Sequence, residues 1–590
     1  MSHEEFVWSS GPVPEDVRAR FESSRVVGNS WCGVTGRWSG IASDGPWTLA
    51  MIGQVHYRDD LLARLGGRAA GPSESSAALL VRAWARFGPD ALDLVEGPYS
   101  GVVVDERDGR AVVFRDLTAG RAAYLSTFEG GHVAGSDLEV VARWSGRHPA
   151  ASRLFVACYL QNQWLDGENT AYEGVRAALP GHAAHPSGQT WTSSEHARWV
   201  VRSHRYRKGH DYVEELAHVL DAAVRERVSG VRKAAVSLSG GLDSTNVLAA
   251  GVRAAPDVEW TAYAIPFYSP QGDERGRQAA VAEHLGVPLV WVPVEGQGPL
   301  GTGLDAADQR TSPPWAGNWY FSRSIARAAD QDGIEVVLDG EDADSLLGGG
   351  LNYLPDLAAT GRWVTWFREV ARLRGQGTMG WKSAARRSFY LNLPYRFRDR
   401  WLELSDNFLP SPLVSPALQQ EVGLEERLRD YAYEPARRGR RFATDVAKIV
   451  SAANVRVVPE ELALCHAGLS VAPAHPFIDR RVLQFGLTLP WEAMCPSPVY
   501  KELLVELSTR RLPPVPRGYL KADLSEYYKR AAGEVEFDRI RDGLALAAYM
   551  AAEVDPSALG TLLRTHEAHE DLWMPSRVAM LARWFTHLRS

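Results

Sequence analysis

The segment Ala235-Val236-Ser237-Leu238-Ser239-Gly240-Gly241-Leu242-Asp243-Ser244 is the most informative stretch of the chain. An apolar run enters two glycines and continues into a helical pattern. The glycines allow a tight turn and close approach of the backbone to a ligand. Ser239, Ser244 and the exposed amides at the helix start can donate to a phosphate, and the positive end of the helix favours an anion. Asp243 cannot bind phosphate directly, because like charges repel. It suits Mg2+, which bridges carboxylates and phosphates. The string is not G-x-x-x-x-G-K-[ST], which disfavours a kinase or GTPase loop. Two glycines alone would fit an ordinary turn; the full string at a strand end argues for a phosphate cradle.

Two further segments share this character. Val336-Val337-Leu338-Asp339-Gly340-Glu341-Asp342-Ala343-Asp344-Ser345-Leu346-Leu347-Gly348-Gly349-Gly350 again follows a strand pattern and is acidic and glycine-rich. His475-Pro476-Phe477-Ile478-Asp479-Arg480-Arg481-Val482-Leu483 lies downstream. The first loop resembles the pyrophosphate loop of the ATP-pyrophosphatase superfamily, whose members form an adenylate from ATP, release pyrophosphate and let a nucleophile displace AMP. The second is similar to the G-E-G-A-D-E-L-F-G-G segment of asparagine synthetases, and the third to their P-F-L-D segment. The resemblance spans nearly the whole chain. It implies ATP and Mg2+, with Asp243 and Asp344 as the two metal carboxylates. It implies a nucleotide site made of Ser237, Ser239, Gly240, Gly241, Asp243 and Ser244, joined by Ile265, Asp339 and Gly340. Lys501, Arg517 and Lys521 occupy the positions of the family's C-terminal basic residues.

The departures from asparagine synthetase narrow the expected reaction. Arg115-Asp116-Leu117-Thr118-Ala119-Gly120-Arg121 resembles the R-D-x-x-G segment of the family's glutaminase domain. A working glutaminase of this class uses an N-terminal cysteine, and this chain has Ser2, a weaker nucleophile without strong activation. The glutamine-holding N-G-E is replaced by Ile52-Gly53-Gln54. Both losses imply a retained scaffold that makes no ammonia; Cys32 as a displaced nucleophile is the alternative. The E-x-R before P-F-L-D reads Ala472-Pro473-Ala474, which argues against asparagine synthesis. The β-lactam synthetases carry a Tyr in the second loop; Glu341 stands there, so that dyad is broken and Glu341 becomes a catalytic candidate. The sequence resembles most the lasso peptide macrolactam synthetases (lasso cyclases).

That resemblance implies adenylation of an Asp or Glu side chain of a precursor core peptide, followed by attack of the peptide's own α-amine. It implies a leader peptidase and a small leader-binding protein as further partners. The amine must lose a proton, and Glu460 or Glu461 is the candidate base, a role worth ~10²–10⁴-fold. Lys521 is the candidate cation for the oxyanion, where one donor is worth ~3–4 kcal/mol, and Lys501 is a second catalytic lysine. The alternatives are a β-lactam-type or external-amine ligase, including asparagine-type chemistry, and a nucleotide-binding pseudoenzyme.

The surrounding elements must position these loops. Residues 1 to about 200 read as short strands and turns, with Trp47–Val55 β-rich, an Asp-Gly hairpin between Gly101–Asp105 and Ala111–Phe114, and a helix over Ser73–Phe87. Ser203–Gly209 reads as a linker. Strand and helix patterns then alternate: a helix over Asp211–Val228, a strand over Lys233–Leu238, a helix over Ser244–Ala255. A strand over Val258–Ile265, a helix over Gly276–Leu285 and a strand over Pro288–Val292 follow. Last come a helix over Asn318–Gln331 and a strand over Ile334–Leu338. Such alternation predicts a parallel sheet covered on both faces, with ligands at the carboxyl ends of its strands. The expected fold is α/β. An N-terminal α+β Ntn-hydrolase-like, degenerate glutaminase layer domain (1–205) precedes a PP-loop parallel-sheet synthetase domain (206–590), which carries a helical insertion at about 351–445. That insertion holds Trp363, Trp366, Phe367, Trp381, Phe389, Tyr390, Tyr395, Phe397 and Trp401, followed by Arg437-Arg438-Gly439-Arg440-Arg441. It reads as a helical insert with a solvated basic face, or as a groove for a folded peptide. His566 and His569 stand at i, i+3 without the further ligands a metal would need.

The composition agrees with such an enzyme. The chain has 590 residues, 45% hydrophobic and 23% charged, and a net charge of −7. That balance argues against nucleic acid as a partner. Four scattered cysteines exclude a disulfide framework. No apolar stretch reaches a membrane span, and the acidic start is not a secretory signal, so a cytoplasmic setting is expected.

Overall fold

Alternation of apolar side chains along the N-terminal strands gives them two buried faces, because successive side chains point to opposite sides. In the strand Glu5–Ser9, Phe6 and Trp8 join one core and Val7 joins another. The computed structural model describes residues 4–589 except 67–73, 145–149, 202–205, 270–271, 295, 299, 301–311, 316–318, 349, 394–408, 433–438, 451, 495–500, 514–523 and 568–571. Two six-stranded antiparallel sheets stack in the N-terminal part. One runs Arg176–Ala177, Tyr124–Phe128, Gly131–Gly135, Glu5–Ser9, Ser30–Thr35, Ser23–Val27. The other runs Thr190–Glu195, His182–Ser187, Ala111–Arg115, Tyr99–Asp105, Trp47–Gly53, Ser39–Asp44. Phe6, Trp8, Ile52, Val102 and Val113 fill the space between them. The predicted Asp-Gly hairpin forms, pairing Val104 with Ala111, and the helix Ser76–Phe87 covers the outer face of the second sheet.

The outer face of the first sheet is covered from the far end of the chain. Val7, Tyr124, Val133 and Phe155 share one core with Ile540, Leu544, Leu562 and Trp584 of three C-terminal helices, Phe537–Ala547, Pro556–Glu567 and Trp573–Arg589. Arg577, 1% exposed, lies 4.5 Å from both the Tyr159 and Trp315 rings and donates to the Tyr159 carbonyl at 2.7 Å. The hydrophobic cores therefore cross the expected boundary at residue 205.

The second half holds a five-stranded parallel sheet ordered Leu289–Trp291, Glu259–Ala264, Lys233–Ser237, Val336–Leu338, Ala472–Ala474. Ala234 and Val236 face the helices Tyr212–Arg227 and Leu242–Ala254, whereas Ala235 and Val337 face Trp319–Gln331. Both faces are buried, as the alternating pattern predicted. The chain is thus a two-part α/β protein, with an N-terminal domain of two stacked antiparallel sheets followed by a parallel-sheet domain with helical additions. The fifth strand, Ala472–Ala474, is three residues of alanine and proline and carries no periodic signal.

The described part of the insertion is helical, with Tyr353–Ala359, Trp363–Gly375 and Trp381–Tyr390 packed together. Trp366 is buried, while Trp363, Phe367 and Phe389 are 41%, 55% and 59% exposed. Tyr395, Phe397, Trp401, Arg437 and Arg438 lie outside the described residues. His566 is a core residue whose Nε2 pairs with the Phe537 carbonyl at 3.1 Å. No described helix is long and apolar enough to cross a membrane.

Candidate active site

The carboxyl ends of the two central strands form a double loop. After Lys233–Ser237 the backbone turns through Gly240 at φ 77°, and Gly241 caps the helix Leu242–Ala254. Ser244 Oγ accepts the Ser239 amide at 3.1 Å and lies 3.0 Å from Ser239 Oγ, which accepts the Gly241 amide at 3.2 Å. Ser237 ends the strand and Ile265 follows the next one, 3% exposed in the core beneath the edge. The Gln278 amide donates to the Leu238 and Ile265 carbonyls at 3.1 and 3.2 Å, fixing the two strand ends together.

The second loop leaves at the same level, because Val236 pairs with Leu338 in parallel register. Gly340 then packs on the first loop. A Cβ there would stand 2.6 Å from Asp243 Cβ and 2.8 Å from the Ser244 nitrogen, so only glycine permits this approach. The two predicted loops are thus in direct contact at adjacent strand ends.

A third element ties them. Lys501, 4% exposed, places its ammonium 2.6 Å from Asp243 Oδ1 and also pairs with Asp344. It precedes the helix Glu502–Arg511 with φ 57°, a left-handed conformation costly for a side-chain-bearing residue. Asn246 holds that helix in place by donating to the Leu504 carbonyl at 3.3 Å. Two carboxylates converging on one cation suit Mg2+ bound jointly with phosphates, which needs one or two protein carboxylates rather than a full cage. Among the described residues no cluster of three or more metal-ligating side chains exists.

The loop field is strongly negative. Desolvation, and then Asp339, Asp342, Asp243 and Asp344, push the Glu341 carboxyl up to about 8. Its side chain keeps surface access, so the desolvation comes from neighbouring atoms rather than from a sealed core. Asp342, at φ 67°, is raised to about 6 by desolvation and Asp339, against the pull of His475. Asp339 is engaged by His475, whose Nδ1 lies 2.9 Å from Oδ2 and 3.1 Å from Oδ1. The Glu341 amide also donates to Asp339 Oδ1 at 3.2 Å. His475 directly follows the strand Ala472–Ala474, so this contact depends on the fifth strand.

The two carboxylates expected to act as bases are engaged elsewhere. Glu460 Oε1 accepts from the fully buried Arg115 at 2.9 Å, and its other oxygen lies 3.8 Å from Arg456. Glu461 accepts the Trp315 amide at 3.0 Å. Both line a cavity of about 130 Å³ between the sheet domain and the helix Ala452–Cys465, together with Ile52 and Arg121. Lys521 and Arg517 lie outside the described residues.

Asp479 of the third segment serves the domain contact. It is 3% exposed and accepts from Tyr57 Oη at 3.0 Å and Arg227 Nη1 at 2.8 Å. Burial would raise its carboxyl, but the Arg227 charge and hydrogen bond outweigh burial and hold it below the ordinary value. In the N-terminal domain Cys32 is buried, and burial pushes its thiol up to about 11. Ser2 lies outside the described residues. Sequence reasoning found both loops. It missed the His475–Asp339 pair, since neither residue belongs to a spaced motif with the other. The resemblance to the family's C-terminal basic residues was the signal that pointed to Lys501.

Comparison with known proteins agrees with this geometry. Residues 215–586 match the asparagine synthase family and residues 40–198 match a glutamine amidotransferase domain. A carboxyethyl-arginine beta-lactam-synthase of Streptomyces clavuligerus is 28% identical over 245 residues, covering 41% of this chain and 43% of that protein. The amidase chry2 of Gibberella zeae is 20% identical over 317 residues, covering 50% of this chain and 46% of that protein. The chain thus spans under half the length of each of these two relatives. Among solved structures, a glutamine phosphoribosylpyrophosphate amidotransferase from B. subtilis, complexed with ADP and GMP, is similar at 12% identity and a TM-score of 0.23. That match covers 44% of this chain and 60% of that one.

Proposed function

The chain belongs to the asparagine synthase family, and from that premise we propose that it is an ATP-dependent, AMP-forming amide ligase that closes a macrolactam ring in a precursor peptide. The observation that carries the ligase reading is the contact between the two acidic loops, with Gly340 against Asp243 and Lys501 between Asp243 and Asp344. Asp243 and Asp344 would hold Mg2+, which when bound neutralises phosphate charge. Ser239, Ser244 and the amides of Gly240 and Gly241 would cradle the phosphates, with Asp339 and Gly340 beside the nucleotide. A carboxylate of the peptide is activated as its adenylate with release of pyrophosphate, and an amine of the same peptide displaces AMP.

Three features favour an internal amine over ammonia. Ile52 and Gln54 replace the polar residues that grip glutamine. Cys32 is buried, with its thiol raised. The R-D-x-x-G arginine, Arg115, is consumed in a domain contact with Glu460. The exposed aromatics of the insertion, Trp363, Phe367 and Phe389, favour a peptide over a small amino acid, because a small substrate would need no such uncovered aromatic surface. Lasso-type closure, in which the α-amine attacks an Asp or Glu side chain, is the form we assign, with the precursor core peptide as substrate and a leader peptidase and leader-binding protein as pathway partners. Lys521 remains the proposed oxyanion cation. A β-lactam-type reaction is the second reading, favoured by the relative that bears that name. Loss of one water from a synthetic core peptide, dependent on ATP and abolished by Asp243→Ala, tests the proposal. Turnover of a β-amino acid without any peptide would select the second reading.

A further inference from the structure

Amide formation needs a group that removes a proton from the incoming amine. Glu460 and Glu461 are both engaged, by Arg115 and by the Trp315 amide. The carboxyl edge of the sheet offers another arrangement. His475 and Asp339 leave adjacent parallel strands, Ala472–Ala474 and Val336–Leu338, and meet with Nδ1 2.9 Å from the carboxylate. The Asp339 amide donates to the Ala474 carbonyl at 3.3 Å, so the backbone fixes the two residues as well. His475 is 11% exposed at its side chain and Asp339 19%. Asp339 directly precedes Gly340, which touches Asp243, so the pair borders the expected nucleotide site.

An imidazole whose Nδ1–H donates to a carboxylate keeps Nε2 unprotonated and able to accept a proton, while the carboxylate stabilises the imidazolium that forms. Among the described residues no hydrogen bond engages the His475 Nε2 nitrogen.

We infer that His475, oriented by Asp339, takes the proton from the attacking amine, an inference that rests on the ligase reading above. The nitrogen forms a bond to the acyl carbon. The proton it sheds passes to His475 Nε2 and then to water. The bond from the acyl carbon to the AMP oxygen breaks, and AMP leaves as a phosphate anion that needs no proton. No other reactant is required. Asp339 is a positioning residue: it fixes the tautomer and does not touch the amine. Glu341, Asp342 and His466 surround the pair, so the local field is acidic except for the neutral His466.

The test uses the full-length protein with ATP, Mg2+ and synthetic linear peptides bearing a free N-terminal amine and a Glu or Asp side chain. Ring closure is compared with capture by hydroxylamine, which is neutral near pH 7 and needs little help from a base. His475→Gln is expected to lower ring closure ~10²–10⁴-fold while hydroxamate formation and pyrophosphate release fall only a few-fold. In Asp339→Asn, which also borders the nucleotide, both products are expected to fall, with the ratio of ring closure to hydroxamate falling further; His475→Asn serves if His475→Gln does not fold. A parallel fall of both products, or no fall in either, overturns the inference. Wild-type protein that forms neither product overturns the ligase reading, and the inference with it, before any substitution is made.

Discussion

The Lys501 ammonium lies 2.6 Å from Asp243 Oδ1 and pairs also with Asp344, so one side chain from the C-terminal region joins two acidic loops that are about a hundred residues apart in sequence. The contact is short because the ammonium is buried while both carboxylates converge on it. Its chemistry anticipates the divalent cation expected there.

Lys501→Ala would remove the ammonium that lies between the Asp243 and Asp344 carboxylates. Truncating one partner of a buried pair costs ~3–5 kcal/mol, and the exposure of Asp344 places this case at the low end. The melting temperature is expected to fall. Added Mg2+ is expected to recover more of it in the variant than in wild type, as scanning calorimetry with and without the ion would read.

Gly340→Ala forces a methyl to within 2.6 Å of Asp243 Cβ. Overpacking of this kind costs ~1–3 kcal/mol, which separates the loops and weakens ATP binding by about 10–100-fold. Titration calorimetry would measure the loss, and circular dichroism would check that the fold remains.

Asp479 joins the two halves through Tyr57 and Arg227. Asp479→Ala strands the buried Arg227 and is expected to destabilise by ~3–5 kcal/mol. Tyr57→Phe removes one hydrogen bond and should cost only ~1 kcal/mol. Urea unfolding should show that order; equal losses would contradict the ion-pair account.

His56 gives the same interface a pH dependence. It is 2% exposed, neither ring nitrogen has a hydrogen-bond partner among the described residues, and burial with the nearby Arg227 lowers it to about 3. The unfolded state therefore takes up a proton near pH ~6.5 that the folded state refuses. Stability is intact above that pH and falls at up to ~1.4 kcal/mol per unit as pH drops towards the folded value. His56→Phe should flatten the slope between pH 6.5 and 4, measured by denaturant midpoints across that range. The depressed Asp479 carboxyl adds its own loss only at lower pH, as acidity passes its folded value.

The sequence by itself determined the chemistry-bearing loops and the parallel sheet beneath them. Local rules suffice there: a strand, two glycines and a helix start form a tight turn at a strand end, and buried apolar runs alternating with helical patterns leave few topologies. It also marked Ile52, Gln54 and Ser2 as departures from a glutamine site. Only the tertiary structure decided what meets what. The strand Ala472–Ala474 forms because its backbone completes an open edge beside Val336–Leu338, not because alanine and proline favour a strand, and that pairing brings His475 to Asp339. Glu460 turns to Arg115, Lys501 bridges Asp243 and Asp344, and the last helices complete the core of the first sheet. Each of these contacts spans more than a hundred residues. No periodicity or spacing encodes them, because they follow from which apolar faces remain uncovered once the local elements have formed.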